Sequence, residues 1–256
     1  MSEEPIAILT GASSGIGEAL AHEIAADGYR LVLVARRVDR LEALAARLAA
    51  PCEIIGADLT DPADMDRLKA RLAEIGEPAV LVNNAGLGQS GPFAEGDVDR
   101  SLTVIDLNIR ALVSLTRHVL PGMLARGRGG ILNVASTAAF QPGPNASIYY
   151  ASKAFVLSFS EALTEECAGK GVTVTALCPG PTETEFFETA GMDNVALRKL
   201  TKAMPADQVA RTGWAAFKRG KRVIIPGVQN KTTAFFSRLI PHRLLLPVVK
   251  RLQSGK

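Results

Sequence analysis

The sequence has few of the features that mark several large classes of protein. Its three cysteines, Cys52, Cys167 and Cys178, are an odd number without a CxxC spacing, which argues against a disulfide framework and against a zinc site. No apolar run reaches the roughly 20 residues that span a bilayer. The first residues lack the basic and apolar regions of a signal peptide. We therefore expect a reducing, cytoplasmic location.

Composition and charge exclude further classes. Of the 256 residues, 47% are hydrophobic and 21% are charged, which is typical of a folded globular protein and not of a disordered, collagen-like or coiled-coil chain. The 29 basic and 26 acidic residues leave a net charge of only +3, so we expect no nucleic-acid partner. His22, His118 and His242 share no ligand spacing, and we predict no metal site.

Over the first 180 residues, short apolar segments alternate with longer segments of helical periodicity. Continuously apolar strands are typical of a parallel sheet that is buried on both faces. The pattern predicts an α/β fold with a Rossmann-type, doubly wound parallel sheet of about seven strands, in one domain. The predicted strands are Ile6–Thr10, Arg30–Ala35, Cys52–Gly56, Ala79–Asn83, Gly130–Val134, Val172–Cys178 and Val223–Pro226. The predicted helices are Gly15–Asp27, Asp39–Ala50, Pro62–Ile75, Val98–Arg126 and Tyr149–Gly169.

The composition changes after Gly180. Residues 181–205 are polar and rich in Gly and Thr, with isolated large apolar side chains, and we predict that they form a lid. Residues 230–256 mix aliphatic and basic residues, which predicts one or two short amphipathic helices broken at Pro241 and Pro247.

Three placements of this C-terminal tail stay open. It covers the domain or a subunit interface, it shapes the substrate pocket, or it makes a weak contact with a membrane surface. The third placement turns the following basic residues toward lipid headgroups: Arg238, Arg243, Lys250 and Arg251.

A glycine-rich turn, Thr10-Gly11-Ala12-Ser13-Ser14-Gly15-Ile16-Gly17, follows the first predicted strand and opens the first predicted helix. Glycines let the backbone approach a pyrophosphate, and a helix N-terminus offers free N–H groups and partial positive charge. The turn therefore predicts a dinucleotide site. Its predicted binding residues are Gly11, Ser13, Ser14, Gly15, Ile16 and Gly17.

The end of the second strand indicates which dinucleotide binds. NAD-binding proteins usually place an acid here on the ribose 2′-OH, but this chain has Ala35 followed by Arg36. A guanidinium pairs with a 2′-phosphate, so we predict NADP(H) with Arg36 as its main partner. Arg37 either contributes or points to water. The competing interpretation is that Arg36, Arg37 and Arg40 form only the solvated start of a helix.

Tyr149 and Lys153 predict acid–base chemistry. Their spacing of four residues places them on one face of a helix, whereas Tyr150 is only three residues from Lys153. An ammonium group beside a tyrosine stabilises the phenolate and is expected to lower the tyrosine pKa. Tyr149 is then a general acid for an alkoxide. Ser136 ends the fifth strand, where its hydroxyl is placed to hold the substrate oxygen.

Taken together, these motifs resemble the short-chain dehydrogenase/reductase family in its short single-domain branch. The resemblance covers roughly residues 5–230. It is carried, in order, by Thr10–Gly17, Asp58, Asn83-Asn84-Ala85-Gly86, Asn108, Ser136, Tyr149 with Lys153, and Pro179-Gly180.

The resemblance implies further roles. Asn108 would bind, through its backbone carbonyl, a water that links Lys153 to solvent, and Lys153 and Tyr149 would also contact the nicotinamide ribose. Thr182 stands where the family commonly has Val or Ile, and it should still serve through its backbone N–H. Thr184 matches the family's threonine near the pyrophosphate and the carboxamide. The other implied cofactor contacts are Asp58 and Leu59 at the adenine, Asn84, Ala85 and Gly86 at the adenosine ribose, and Pro179, Gly180 and Thr182 around the nicotinamide.

Apolar side chains follow several strand ends, where this fold places the substrate. They favour a lipophilic carbonyl substrate, although they can equally pack the lid against the domain. They are Leu87, Phe93, Phe140, Phe186, Phe187, Met192 and Met204.

The resulting expectation is an NADP(H)-dependent oxidoreductase that reduces a ketone or aldehyde, with Tyr149 as the general acid. One alternative is a 3-ketoacyl thioester reductase of lipid metabolism. Another is a regulatory protein that senses NADP(H) without turnover. The resemblance also implies a homodimer or homotetramer, built through the helices predicted at Val98–Arg126 and Tyr149–Gly169.

Overall fold

The computed structural model describes residues 4–191 and 203–254. These residues form a seven-stranded parallel sheet with the strand order β3-β2-β1-β4-β5-β6-β7. The strands are β1 (Ile6–Thr10), β2 (Arg30–Ala35), β3 (Cys52–Gly56), β4 (Val80–Asn83), β5 (Gly129–Val134), β6 (Val172–Leu177) and β7 (Val223–Ile224). The predicted Rossmann-type fold is confirmed.

Helices flank the sheet on both faces. They are α1 (Gly15–Ala26), α2 (Val38–Ala45), α3 (Pro62–Ile75), α4 (Val98–Ile105), α5 (Leu112–Arg126), α6 (Ser147–Glu166), α7 (Phe186–Thr189), α8 (Ala206–Lys218), α9 (Val228–Leu239) and α10 (His242–Leu252). A π-helical turn, Asp106–Ala111, joins α4 to α5.

Alternation along the strands divides the apolar residues between two cores, because successive strand side chains point to opposite faces. On β1, Leu9 packs in one core with Leu20 of α1 and Trp214 of α8. Its neighbour Ile8 packs in the other core with Leu68 of α3, among others. Both faces are buried, which is why the strand sequences are continuously apolar.

The structure corrects several predicted boundaries. The second helix ends at Ala45 rather than at Ala50, and β7 pairs over two residues only. The stretch predicted as one helix, Val98–Arg126, is helical throughout but contains the π-helical turn. The tail breaks at Pro241, as predicted, but the predicted break at Pro247 is wrong, because this proline lies inside α10.

Within the described ranges, no helix combines the length and the apolar character needed to cross a membrane.

Candidate active site

A cavity of about 370 Å³ opens at the carboxyl ends of the strands. The strand order reverses between β1 and β4, and open α/β sheets bind ligands beside such a reversal. One end of the cavity is lined by the glycine-rich turn and the other by Ser136, Tyr149 and Lys153. The predicted site residues that line it are Gly11, Ser13, Ser14, Gly15, Ile16, Arg36, Arg37, Asp58, Leu59, Asn84, Ala85, Gly86, Ser136, Tyr149, Lys153, Pro179, Gly180, Thr182 and Thr184.

Close packing explains two glycines of the turn. Gly11 has a φ of +65°, and a Cβ there would lie 2.7 Å from the Cα of Ala85. A Cβ on Gly17 would lie 2.2 Å from the carbonyl oxygen of Gly11. Gly17 is therefore a packing residue beneath the turn and does not line the cavity.

The turn and the end of β4 are fastened together. The hydroxyl of Thr10 accepts hydrogen bonds from the backbone N–H groups of Asn84 and Ala85, at 3.0 and 3.1 Å. The side-chain amide of Asn84 donates to the carbonyls of Thr10 and Gly11, both at 3.0 Å. Within the described residues the Ser14 side chain makes no capping bond to α1. The first N–H groups of that helix are thus left for an anion.

The two arginines after β2 have different surroundings. Arg36 is 64% exposed and lies 3.7 Å from the carboxylate of Asp58. Arg37 donates to the hydroxyls of Ser13 and Ser14, at 3.2 and 3.0 Å, and to the carboxylate of Glu185 at 2.9 Å. Arg37 therefore does not simply point to water.

Asp58 is held at the end of β3. Its carboxylate accepts from the backbone N–H and the hydroxyl of Thr60, at 2.9 and 2.7 Å. Burial on its own would raise the pKa of Asp58, but the bonds from Thr60 and the charge of Arg36 outweigh it and hold the pKa below its ordinary value.

Tyr149 and Ser136 meet at the far end of the cavity. Burial raises the pKa of the Tyr149 hydroxyl to about 12, and a hydrogen bond with Ser136 acts in the opposite direction. Burial outweighs this bond, and the Lys153 ammonium is not among the groups that act on the pKa of Tyr149, so the expected lowering of this pKa is wrong. The Ser136 hydroxyl is positioned by the backbone N–H of Ala138 and the carbonyl of Pro179, at 3.1 and 3.4 Å.

Lys153 lies one helical turn after Tyr149 and is buried. Its ammonium donates to the carbonyl of Val134 at 2.8 Å. A Cβ on Gly86 would lie 3.3 Å from the Lys153 nitrogen, so a larger residue would crowd it. Burial lowers the pKa of Lys153 to about 8, because the charged form loses its hydration.

Asn108 lies in the π-helical turn, a feature that frequently marks functional sites. Its side chain accepts from the N–H of Leu87 and donates to the Leu87 carbonyl and the Ser152 hydroxyl, at 2.8, 2.9 and 2.9 Å. Asn108 does not line the cavity. Its side chain ties the segment after β4 to α6, the helix that carries Tyr149 and Lys153.

The segment after β6 contains the remaining predicted cofactor contacts, Thr182 and Thr184 among them. The Thr182 hydroxyl donates to the Gly180 carbonyl at 3.0 Å, and Thr182 forms a parallel bridge with Met204. Thr184 packs over the glycine-rich turn, since a Cβ on Gly15 would lie 2.7 Å from the Thr184 methyl group.

The predicted apolar substrate residues are only partly confirmed as lining residues. Leu87, Phe186 and Phe187 line the cavity. Met192 lies outside the described residues. The other three positions, Phe93, Phe140 and Met204, do not line it.

Each of these three residues has another place. Phe93 begins a 3-10 turn and is 68% exposed. The guanidinium carbon of Arg238 lies over the Phe140 ring, 4.6 Å from the centre of that ring. Met204 packs against the core beside Gly227.

Glu185 and Gln253 are among the cavity residues that sequence reasoning missed. Glu185 bridges Arg37 and Arg40, at 2.9 and 2.6 Å. Gln253, near the end of the tail, is 96% buried, and its amide donates to the Tyr150 hydroxyl at 2.6 Å. No local motif marks either residue, since their partners lie more than 100 positions away.

Comparisons with known proteins agree with this geometry. A family profile described as short chain dehydrogenase matches residues 5–194. Sulfoacetaldehyde reductase of Chromohalobacter salexigens is 42% identical over 212 residues, covering 79% of this chain and 83% of that protein.

Solved structures show the same similarity. A short-chain dehydrogenase from Sphingobium yanoikuyae in complex with NADPH superposes with a TM-score of 0.83 at 38% identity, covering 91% of this chain and 92% of that one. A bulky-bulky ketone specific alcohol dehydrogenase from Comamonas testosteroni gives a TM-score of 0.79 at 32% identity, covering 93% of each chain. This protein belongs to the short-chain dehydrogenase family of oxidoreductases.

Proposed function

We propose that this protein is an NADPH-dependent carbonyl reductase that converts a lipophilic ketone or aldehyde to an alcohol. One observation carries the proposal: a single cavity joins the phosphate-binding turn to Ser136, Tyr149 and Lys153. A dinucleotide needs anion donors at one end and hydrogen-bonding groups at the other, and the residues present fit that requirement.

The cofactor assignment rests on the end of β2. Ala35 places no carboxylate there, and Arg36 lines the cavity, where its guanidinium lies 3.7 Å from the Asp58 carboxylate. The neighbouring Ser13 hydroxyl is a second donor for a 2′-phosphate. The related structure from Sphingobium yanoikuyae holds NADPH, which supports the same choice here. When bound, NADPH supplies the hydride that reduces the carbonyl carbon.

The protein groups handle the proton. The Ser136 hydroxyl turns away from the Pro179 carbonyl, to which it donates a long bond of 3.4 Å, and donates instead to the substrate oxygen, which it orients beside Tyr149. The Tyr149 O–H bond breaks as a new O–H bond forms on the alkoxide, which is a much stronger base than a phenolate of pKa about 12. The Lys153 ammonium then stabilises the phenolate until it regains a proton.

The substrate class rests on the walls of the cavity. Leu87, Leu107, Phe186 and Phe187 line it and favour an apolar substituent next to the carbonyl. The similar ketone-specific alcohol dehydrogenase supports a ketone. We further propose that the enzyme works in the cytoplasm as a homodimer or homotetramer. Exposed apolar residues on α4 and α6, among them Val98, Leu102 and Phe155, are suited to the subunit contact.

The test is NADPH consumption against aldehydes, ketones and 3-ketoacyl thioesters of graded chain length. We expect turnover of free ketones or aldehydes, with kcat/KM rising as the apolar substituent grows. Turnover of thioesters alone would replace the proposal with a 3-ketoacyl thioester reductase. NADPH binding without any turnover would favour the regulatory protein.

A further inference from the structure

The two helices of the C-terminal tail expose an unusual number of large apolar side chains. Among the described residues, twelve large apolar side chains are exposed, and six of them lie between positions 235 and 248. We call these six the tail face. Its members are Phe235, Phe236, Leu239, Ile240, Leu244 and Val248.

Helix α9 packs on the body of the protein with its small residues. Ala234 and Ser237 are buried, whereas Phe235 and Phe236 are 60% and 56% exposed. The two phenylalanine rings contact each other edge to face at 5.5 Å. A helix that only covered a core would bury its phenylalanines, so this arrangement indicates a surface for an external partner.

The chain segment that carries the tail face has charges of one sign. From Gln208 to Lys256 the sequence has eleven Lys and Arg residues and no Asp or Glu, although the whole chain has 26 acidic residues. In the part of the chain that the structure describes, none of Lys231, Arg243, Lys250 and Arg251 forms a salt bridge. These cations are available to an anionic partner.

The charge also decides between the two simplest occupants. A second copy of the chain packed symmetrically on the tail face would bring two basic segments together without one carboxylate between them. A bilayer with anionic lipids offers both an apolar interior for the phenylalanines and negative headgroups for the lysines and arginines.

We propose that the tail face docks this protein peripherally on anionic lipid bilayers. The apolar residues of α9 and α10 enter the interface, and Lys231, Arg243, Lys250 and Arg251 meet the headgroup phosphates. This docking does not depend on the proposed function. Helix α10 carries Val248 of the tail face and is capped by Gln253 of the cavity, so the two residues lie about 7.5 Å apart along the helix axis.

The experiment is co-sedimentation of the full chain with vesicles of phosphatidylcholine alone or mixed with phosphatidylglycerol. We expect at least about tenfold tighter binding to the mixed vesicles, and a loss of binding at high salt. The double substitution Phe235→Ser/Phe236→Ser should abolish sedimentation, and Arg243→Gln/Lys250→Gln should weaken it at least about tenfold.

Phe93→Ser is the matched control, because Phe93 is also exposed but lies outside the tail. It should bind vesicles like the wild type, and thermal melts should show that all variants fold. Failure of the wild type to sediment with phosphatidylglycerol vesicles would overturn the proposal. So would a result in which light scattering shows that Phe235→Ser/Phe236→Ser splits an oligomer while vesicle binding is unchanged.

Discussion

Two walls of the cavity are held in place in different ways. The first wall, at the ends of β1 and β4, is held by hydrogen bonds to backbone groups. The second wall, formed by the segment after β6 and by the tail, is held by contacts between side chains from distant parts of the chain. At the first wall, Thr10 and Asn84 bond to main-chain atoms, and Gly11 has no room for a side chain. At the second, Glu185 reaches Arg37 and Gln253 reaches Tyr150. Main-chain packing restricts residue types more strongly than a side-chain contact does.

Among the substitutions at the cavity, Tyr149→Phe should have the largest effect on kcat. The change removes the proposed proton donor from a rigid helix and leaves the shape of the cavity intact. We expect kcat to fall by about 10²–10⁴-fold with little change in the Kd for NADPH. Initial rates of NADPH consumption and a binding titration measure the two quantities.

Tyr150→Phe is the matched control. The Tyr150 hydroxyl bonds to Gln253 instead of Ser136, so its removal should change kcat by less than about fivefold. Equal losses in the two variants would contradict the assignment of Tyr149 as the general acid.

The pH dependence of kcat/KM tests the proposed role of Lys153. Burial lowers its pKa to about 8, so the ammonium is present below that pH and is lost above it. In the proposed mechanism the charged form stabilises the Tyr149 phenolate. If it does, kcat/KM for reduction should be level below about pH 8 and fall toward tenfold per pH unit above it. Rates with a fixed substrate from about pH 6 to about pH 10 provide the profile. A kcat/KM that rises through this range would show that the neutral lysine is the active form.

The fold and the first wall were predictable because their signals are local. Three strands and one helix, including Ile6–Thr10 and Pro62–Ile75, have the predicted bounds. Burial on both faces of the sheet gives apolar strand sequences. The Asp61 cap and Pro62 in the first turn mark the start of α3.

The second wall was not predictable in the same way. Pro247 was predicted to break a helix, but it lies inside α10 and follows five helical residues. Phe93, Phe140 and Met204 were expected at the substrate because of their place after strand ends. Which way such a side chain turns depends on tertiary contacts, such as the one between Arg238 and Phe140.

The arginines after β2 give a smaller effect, at the junction of the two walls. Arg36→Ala should raise the KM for NADPH about 10–100-fold and leave the KM for NADH nearly unchanged, because only NADPH has the 2′-phosphate. Arg37→Ala should weaken the binding of both NADPH and NADH, since Arg37 also donates hydrogen bonds to the hydroxyls of Ser13 and Ser14. An unchanged preference between NADPH and NADH in Arg36→Ala would refute the proposed phosphate contact.

Gln253→Leu should give the smallest effect and addresses the tail directly. The Gln253 amide donates to Tyr150, while its carbonyl oxygen is buried without a partner among the described residues. Leucine removes one unsatisfied acceptor but also leaves the buried Tyr150 hydroxyl without its Gln253 partner, so folding stability should fall by about 1–3 kcal/mol. Substrate KM should change about two- to fivefold, with kcat and the KM for NADPH preserved. Ser254→Ala is the control, because Ser254 bonds to Asn145 and does not line the cavity. If both variants behave like the wild type, the tail packs against the site without shaping it, and selectivity belongs to the segment after β6.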